Sequence, residues 1–212
     1  MKRYLTVIIA GICIIWLGVN YNQDRTNQLT QNSNSTINNH NNDFITFSDP
    51  YLEQAIREKT SKITGKIYES DLENITVLEI TSANIKDLSG IENLSNLEEL
   101  DLSWNDIRDI SSMSNLTNLV KLNLAYNDIH DIRSLNNLKN LTQLNISHTL
   151  IEDITPLSNL SDLTILNISR CEHIDYTNIN MLGGLSNLTD SFPPFEMIYY
   201  SSLSCLIYYF SD

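Results

Sequence analysis

The middle of the chain repeats one pattern of apolar residues every 22 positions. Residues 94–115, 116–137, 138–159 and 160–181 each open with Leu-x-x-Leu-x-x-Leu-x-[Leu/Ile]. In the aligned copies the recurring positions are aliphatic throughout, as in the columns Leu94/Leu116/Leu138/Leu160, Leu100/Leu122/Leu144/Leu166 and Leu102/Leu124/Ile146/Ile168. A unit of this length buries its apolar side only against a neighbouring unit. The repeat therefore predicts a solenoid in which one copy alone would not fold.

Each copy contains a short stretch that alternates apolar and polar residues, which is typical of a β-strand. Leu100 and Leu102 are predicted to point inward, and Glu99, Asp101 and Ser103 outward. Strands at equivalent places in successive coils pair in parallel, and parallel strands need a crossover, here through Ile107, Ile110 and Met113. The outward residues of successive strands are then expected to line a trough.

A column of aspartates precedes each crossover, formed by Asp87, Asp109, Asp131 and Asp153. We expect each carboxylate to cap backbone donors at the start of a turn. A calcium-binding rim of stacked carboxylates is the alternative, although no Asp-x-Asp ligand cluster accompanies the column.

The segment Leu-x-x-Asn-x-Ile-x-Asp-Ile occurs at 102–110 and again at 124–132, and it resembles the internalin-like bacterial leucine-rich repeat proteins. Upstream, residues 47–57, 65–67 and 70–72 resemble the helical cap that precedes such arrays. The resemblance implies an α/β solenoid: a leucine-rich repeat with a curved parallel β-sheet, short convex arcs and an N-terminal helical cap. It also implies that Asn105 and Asn127 bond to backbone groups at the turn, with Thr149 and Cys171 as partial substitutes.

The residues themselves agree with the helical cap. Asp49 followed by Pro50 is an N-cap with proline at the first helical position. Leu52, Ala55 and Ile56 then fall at helical spacing. A helix of this kind closes the open apolar end of a solenoid.

The chain is expected to contain five segments. Residues 1–19 are predicted to be a signal peptide or an N-terminal membrane anchor, because Lys2 and Arg3 precede an uncharged, mostly apolar stretch at 5–19. Residues 20–43 are rich in Asn, Ser, Gln and Thr and predict a disordered tether. Residues 44–72 form the helical cap, residues 73–189 the repeats, and residues 190–212 an atypical tail, either truncated or out of frame, or an improvised lid.

The last coil admits two alignments. Leu182, Leu185 and Leu188 fit the 22-residue register without any insertion, in which case Asp190 takes a position that should be Leu or Ile. The similarity of 185–188 to 94–97 indicates instead three extra residues around 174–184. We favour the insertion.

Composition and motifs narrow the function to binding. A formal charge of −13 disfavours nucleic acid and anionic membrane surfaces as partners, and an acidic trough favours a basic or polar protein surface. The four histidines are scattered and no phosphate-binding loop or metal-ligand motif is present in the sequence, so the sequence predicts no enzyme, no cofactor and no metal.

The predicted binding surface is the concave face, where large ring or planar groups recur at the strand exits. Its candidate ligand-binding residues are Glu99, Asp101, Trp104, Lys121, Asn123, Tyr126, Gln143, Asn145, His148, Asn167 and Arg170. The alternative for Trp104 and Tyr126 is that they only shield the sheet edge.

We expect an exported, monomeric module that binds a protein ligand. It is either secreted or attached to the cell surface, in the second case with a membrane tether through residues 5–19. The alternative function is a tethered structural or regulatory scaffold of the cell envelope.

Overall fold

The computed structural model describes residues 44–192, which begin with two helices followed by a sheet of short strands. The helices are α1 (Pro50–Lys59) and α2 (Glu69–Leu72), and the strands are β1 (Val77–Glu79), β2 (Glu99–Asp101), β3 (Lys121–Asn123), β4 (Gln143–Asn145), β5 (Ile165–Asn167) and β6 (Asp190–Phe192). Short 3₁₀ segments return the chain between strands, at Ile91–Asn93, Ser111–Met113, Arg133–Asn137, Thr155–Asn159 and Tyr176–Gly184. Within this described part, no helix is long and apolar enough to cross a membrane. The predictions for residues 1–19, 20–43 and 193–212 fall outside it.

The six strands pair in parallel in chain order, as the repeat predicts. Leu100 lies beside Leu78 on one side and Leu122 on the other, and the same register continues to Leu144 and Leu166. The aliphatic columns are buried and form one continuous cluster that also includes residues of α1 and α2. Each fully buried Leu or Ile in this cluster contributes about 2 kcal/mol. The fold is therefore the predicted leucine-rich repeat solenoid.

Helix α1 is attached to the first coil through one carboxylate. The Asp49 Oδ1 atom accepts hydrogen bonds from the backbone N–H groups of Tyr51 at 2.9 Å and Leu52 at 3.3 Å, so Asp49 is the helix N-cap. Its Oδ2 atom accepts from the N–H groups of Lys86 at 2.9 Å and Asp87 at 3.3 Å. Since Leu52 and Ile56 are fully buried, polar and apolar contacts together fix the helix on the open end of the array.

The last coil contains the three-residue insertion that the sequence favoured. Strand β6 pairs with β5 in the register Ile165↔Asp190, Leu166↔Ser191 and Asn167↔Phe192, an offset of 25 residues where the other strand pairs are offset by 22. The 3₁₀ segment of this coil has nine residues, compared with five in the coil before it. The 22-residue alignment of Leu182, Leu185 and Leu188 is therefore wrong. They take the places of Leu157, Leu160 and Leu163.

The sheet also continues past residue 189, where the sequence analysis ended the repeats. In the observed register Asp190 is opposite Ile165, whereas without the insertion it would align with Ile168. Parallel pairing uses backbone groups, so the loss of the leucine pattern does not prevent a sixth strand.

Candidate binding surface on the sheet

The outward side of the sheet forms an open groove of about 360 Å³. Seven of the predicted binding residues line it, namely Glu99, Asp101, Lys121, Asn123, Gln143, Asn145 and Asn167. The groove is also lined by Val77, Glu79 and Ile165, which are not among the predicted binding residues. The other four candidates, Trp104, Tyr126, His148 and Arg170, are not among the residues lining the groove and occupy the position that follows each strand by three residues.

The charges in the groove are concentrated on its first strands. The Lys121 Nζ atom lies 2.7 Å from Glu99 Oε1, and the Asn123 Nδ2 atom donates to Asp101 Oδ2 at 2.9 Å. Both members of the Lys121–Glu99 pair are exposed, so the pair contributes little to stability. The amides of Gln143, Asn145 and Asn167 follow on β4 and β5. The groove therefore changes from acidic to neutral along the array.

In strands β2 to β5 the side chain of the third residue also accepts a hydrogen bond from the turn that follows it. Asp101 Oδ1 accepts from the Ser103 N–H at 2.8 Å and hydroxyl at 2.7 Å. Asn145 and Asn167 make the same pair of bonds to Ser147 and Ser169. These bonds within the chain thus occupy one carboxylate oxygen of Asp101 and the amide oxygens of Asn145 and Asn167. The expected exposure of Ser103 is also wrong, since this bond and the neighbouring coils leave it 6% exposed.

The ring and planar residues at the strand exits have left-handed backbone conformations, which the sequence analysis missed. The φ angles are positive and between 54° and 59° at Ser82, Trp104, Tyr126, His148 and Arg170. A non-glycine residue in this region costs about 1 kcal/mol. The available signal was the polar residue three positions earlier, whose side chain supports such a turn.

Three of these side chains form a continuous stack. The Trp104 and Tyr126 ring centroids are 3.6 Å apart with planes at 11°, and the Tyr126 and His148 centroids are 4.0 Å apart with planes at 14°. Each ring contact contributes about 0.5–1.5 kcal/mol. Trp104 is nevertheless 57% exposed, so the stack presents an indole to the solvent.

The polar ladder beneath the strand exits forms as the resemblance implied. The Asn127 Nδ2 atom donates to the carbonyls of Leu102 at 2.9 Å and Leu124 at 3.0 Å, and its Oδ1 atom accepts from the Ile107 N–H at 3.0 Å. In the later coils, the Thr149 hydroxyl and the Cys171 thiol both donate to the carbonyl of Ile146. Burial raises the pKa of the Cys171 thiol, so it stays protonated as a donor.

The aspartate column caps local backbone donors, as predicted. Each Oδ1 atom accepts from the N–H two residues ahead, at 2.8 Å for Asp87, 2.8 Å for Asp109, 2.9 Å for Asp131 and 2.8 Å for Asp153. Hydrogen bonds from Ser89 hold the pKa of Asp87 below its usual range, and hydrogen bonds from Arg133 do the same for Asp131. Between residues 44 and 192, no three acidic, histidine or cysteine side chains are grouped so that they could hold a metal ion.

A second asparagine ladder, absent from the sequence analysis, runs along the strand entries. The Nδ2 atoms of Asn96, Asn118 and Asn140 donate to carbonyls 23 residues earlier, at 2.9, 2.8 and 2.8 Å. Asn187 makes the corresponding bond to Ser161, 26 residues earlier, because of the insertion. The fourth position of the column, between Asn140 and Asn187, is Asp162, which has no amide to donate. The recurrence of Asn at 96, 118 and 140 was the signal in the sequence.

Comparison with known families and structures agrees with this architecture. A leucine-rich repeat family model with two copies of the repeat matches residues 117–159, and a second leucine-rich repeat model matches residues 93–110. No curated protein matches the chain. Among solved structures, an internalin (inlF) of Listeria monocytogenes is 30% identical with a TM-score of 0.59, over 68% of this chain and 49% of that one. The chain thus spans about half the length of that internalin.

Two further solved structures match with lower TM-scores. An internalin C2 (inlC2) of Listeria monocytogenes is 22% identical over 68% of this chain and 93% of that one, with a TM-score of 0.38. A structure of Clostridium perfringens ZmpB domains is 34% identical over 42% of this chain and 19% of that one, also with a TM-score of 0.38. The repeat-family matches, the likeness to the first internalin and the parallel sheet built on 22-residue columns identify the chain as an internalin-like bacterial leucine-rich repeat protein.

Proposed function

We propose that the protein is an exported module that binds a protein ligand through the concave face of its repeat sheet. The observation that carries the proposal is the stack of Trp104, Tyr126 and His148, whose side chains are held at left-handed positions beside an open groove. Tryptophan and tyrosine are enriched among the residues that dominate binding energies. Leucine-rich repeat solenoids use extended concave surfaces of this kind for binding.

The charge of the groove favours a partner with a basic or polar surface. Glu79, Glu99 and Asp101 line its first strands, and Lys121 is already paired with Glu99. The chain as a whole has a formal charge of −13, which opposes association with phosphate-rich surfaces. A protein ligand with exposed cationic and amide groups complements this surface.

The binding surface is tested by comparing matched variants on the two sides of the solenoid. The full-length chain is immobilised, proteins retained from extracellular extracts are identified, and the affinity of one purified partner is measured by calorimetry. We expect Trp104→Ala and Tyr126→Ala each to weaken binding at least tenfold, the loss of about 1.4 kcal/mol or more that is typical of central aromatic contacts. Arg133→Ala, at an exposed position in the return segment between β3 and β4, is the control and should not change the affinity.

Two results would count against this surface. Unchanged affinity in both ring variants removes the ring column from the binding site. A loss that occurs only in Arg133→Ala assigns binding to the opposite side of the solenoid.

Export is proposed from Lys2, Arg3 and the uncharged stretch at 5–19. Cell fractionation with an antibody against the repeats distinguishes the two forms of the proposal. Shortened protein in the medium supports a secreted binding module, whereas full-length protein in the membrane fraction supports a tethered scaffold of the envelope. Protein found only in the cytosol contradicts export.

A further inference from the structure

The ring stack ends differently at its two sides. At the β5 side the column continues from His148 to the guanidinium-bearing Arg170. At the β1 side Trp104 is followed by Ser82, a small side chain. The stack therefore ends on the indole of Trp104, one face of which lies against Tyr126.

Ser82 occupies the same backbone position as the rings. Its N–H donates to the Ser103 carbonyl at 3.1 Å, as the Trp104 N–H donates to Ala125 at 2.9 Å and the Tyr126 N–H to Ser147 at 3.0 Å. Its φ of 55° also matches the 59° of Trp104. A ring at position 82 would consequently stack on Trp104. With serine there, no ring of the column covers the second face of the indole, and Trp104 is 57% exposed.

The strands that lead to this face carry negative side chains. Glu79 lies three residues before Ser82 on the same coil, about 10 Å along an extended chain. It is exposed, and no lysine or arginine of the described residues forms an ion pair with it. Asp101 lies opposite Glu79 in the neighbouring strand, with one oxygen bonded to Ser103 and the other to Asn123. A cation beside the indole would therefore also be attracted by the Glu79 carboxylate.

We propose that the free face of Trp104, above Ser82, is a stacking site for a planar cation, specifically the guanidinium group of an arginine on the protein ligand. The proposal rests on the proposed function and specifies which chemical group of the protein ligand binds at this part of the surface. Arginine fits better than lysine, because its guanidinium is planar, stacks flat on an indole and is weakly hydrated. Arginine also fits better than a neutral aromatic group, because Glu79 on β1 has a negative charge and forms no ion pair among the described residues.

The test uses the full chain and four short peptides as probes. The peptides are acetyl-Gly-X-Gly-amide with X as arginine, citrulline, lysine or phenylalanine, and binding is followed by NMR at the Trp104 indole N–H. The chain has a second tryptophan, Trp16, so a Trp104→Phe variant assigns the signal. We expect the arginine peptide to shift the Trp104 signal and the citrulline peptide, which is planar but neutral, to bind about two- to fivefold more weakly.

Variants of the chain then locate the site. Ser82→Trp should abolish the response to the arginine peptide, because the new ring covers this face of the indole and continues the stack. Trp104→Leu should abolish the backbone amide shifts at residues 81–84, and Glu79→Gln should weaken binding two- to threefold. Ser111→Trp, which adds a ring at an exposed position in the return segment between β2 and β3, is the control and should leave binding unchanged. Circular dichroism melts establish that each variant is folded.

Three outcomes would overturn the proposal: equal binding of the citrulline and arginine peptides, stronger binding of the phenylalanine peptide, or a response that survives both Ser82→Trp and Trp104→Leu. These outcomes differ from failure of the proposed function. A purified protein partner that loses affinity in Trp104→Ala but not in Ser82→Trp leaves the binding surface in place and removes only the arginine site.

Discussion

Short amide side chains form hydrogen bonds that link one coil to the next. Asn105 shows the pattern: its Oδ1 atom accepts from the N–H groups of Ala83 and Ile85 in the preceding coil, while its Nδ2 atom donates to the carbonyls of Ile80 and Leu102. Ala83, at the equivalent position of the preceding coil, has no amide side chain, and its backbone N–H donates to Asn105. The role of this column could be predicted because the residue type recurs at a fixed spacing. The left-handed φ of Trp104 could not be predicted in the same way, because no single residue type recurs at the positions that adopt this conformation.

Replacing a ladder asparagine tests these contacts. Asn127→Ala removes the donor to the carbonyls of Leu102 and Leu124 and leaves the buried N–H of Ile107 without an acceptor. We expect a loss of about 2–3 kcal/mol in the free energy of unfolding, measured by urea denaturation. Asn115→Ala, at an exposed position, is the control and should change it by less than about 0.5 kcal/mol. Equal effects of the two substitutions would contradict the role of the ladder.

Asp162 interrupts the ladder of asparagines at the strand entries. Asp162→Asn supplies an amide where Asn96, Asn118 and Asn140 each reach a carbonyl 23 residues earlier, which here is the carbonyl of Lys139. We expect a gain of about 0.5–1 kcal/mol in the free energy of unfolding, visible as a higher Tm in calorimetry. The reverse change, Asn140→Asp, should lower the Tm. A lower Tm in Asp162→Asn would show that position 162 does not follow the ladder.

At the scale of the elements, the first and last coils depart most from the repeat. The 3₁₀ segment Tyr176–Gly184 absorbs three extra residues on the return path, and the strand that follows still pairs in parallel. Insertions are tolerated there because a return segment has no fixed register to keep, whereas a strand must match its neighbour. At the other end, α1 replaces a coil, and Asp49 bonds to both the helix and the first turn.

The attachment of the N-terminal segment depends on one glycine. Gly90 has a φ of 105°, and a Cβ atom added there would lie 2.6 Å from Phe47 Cδ1 and 2.6 Å from the Thr46 carbonyl oxygen. We expect Gly90→Ala to lower the free energy of unfolding by about 2 kcal/mol, because both the backbone and the packing must adjust. Gly184→Ala is the control, since a Cβ there meets no atom within 4 Å. A Tm equal to that of the unchanged chain in Gly90→Ala would show that residues 46–47 move aside without cost.

At the scale of the whole described unit, ionised carboxylates contribute to stability through the hydrogen bonds that they accept. Hydrogen bonds from Lys62, Ser89 and Arg133 lower the pKa values of Asp71, Asp87 and Asp131, respectively, below the ordinary value of 3.8. A carboxyl whose pKa is lower in the folded state stabilises the fold fully above the unfolded value. That stabilisation is lost as the pH falls through the folded value.

We therefore expect the Tm to fall as the pH drops below about 4, with little loss between pH 7 and 5. The measurement is a series of circular dichroism melts between pH 2.5 and 7. An Asp131→Asn variant should be less stable at pH 7 and lose less on acidification. A Tm that stays constant or rises down to pH 2.5 would contradict the contribution of these carboxylates.

The sequence by itself determined the repeat length, the inward aliphatic columns, the order and direction of the strands and the positions of Asn105 and Asn127. These follow from the types of residue that recur at fixed spacing. The tertiary structure decided the stacking of Trp104 on Tyr126, the use of Asp101 in its own turn and the 25-residue register of the last strand pair. The ring stacking and the strand register depend on the distance and orientation between coils, which are set by how the buried columns pack. The turn at Asp101 depends on a backbone conformation that residue types alone do not specify.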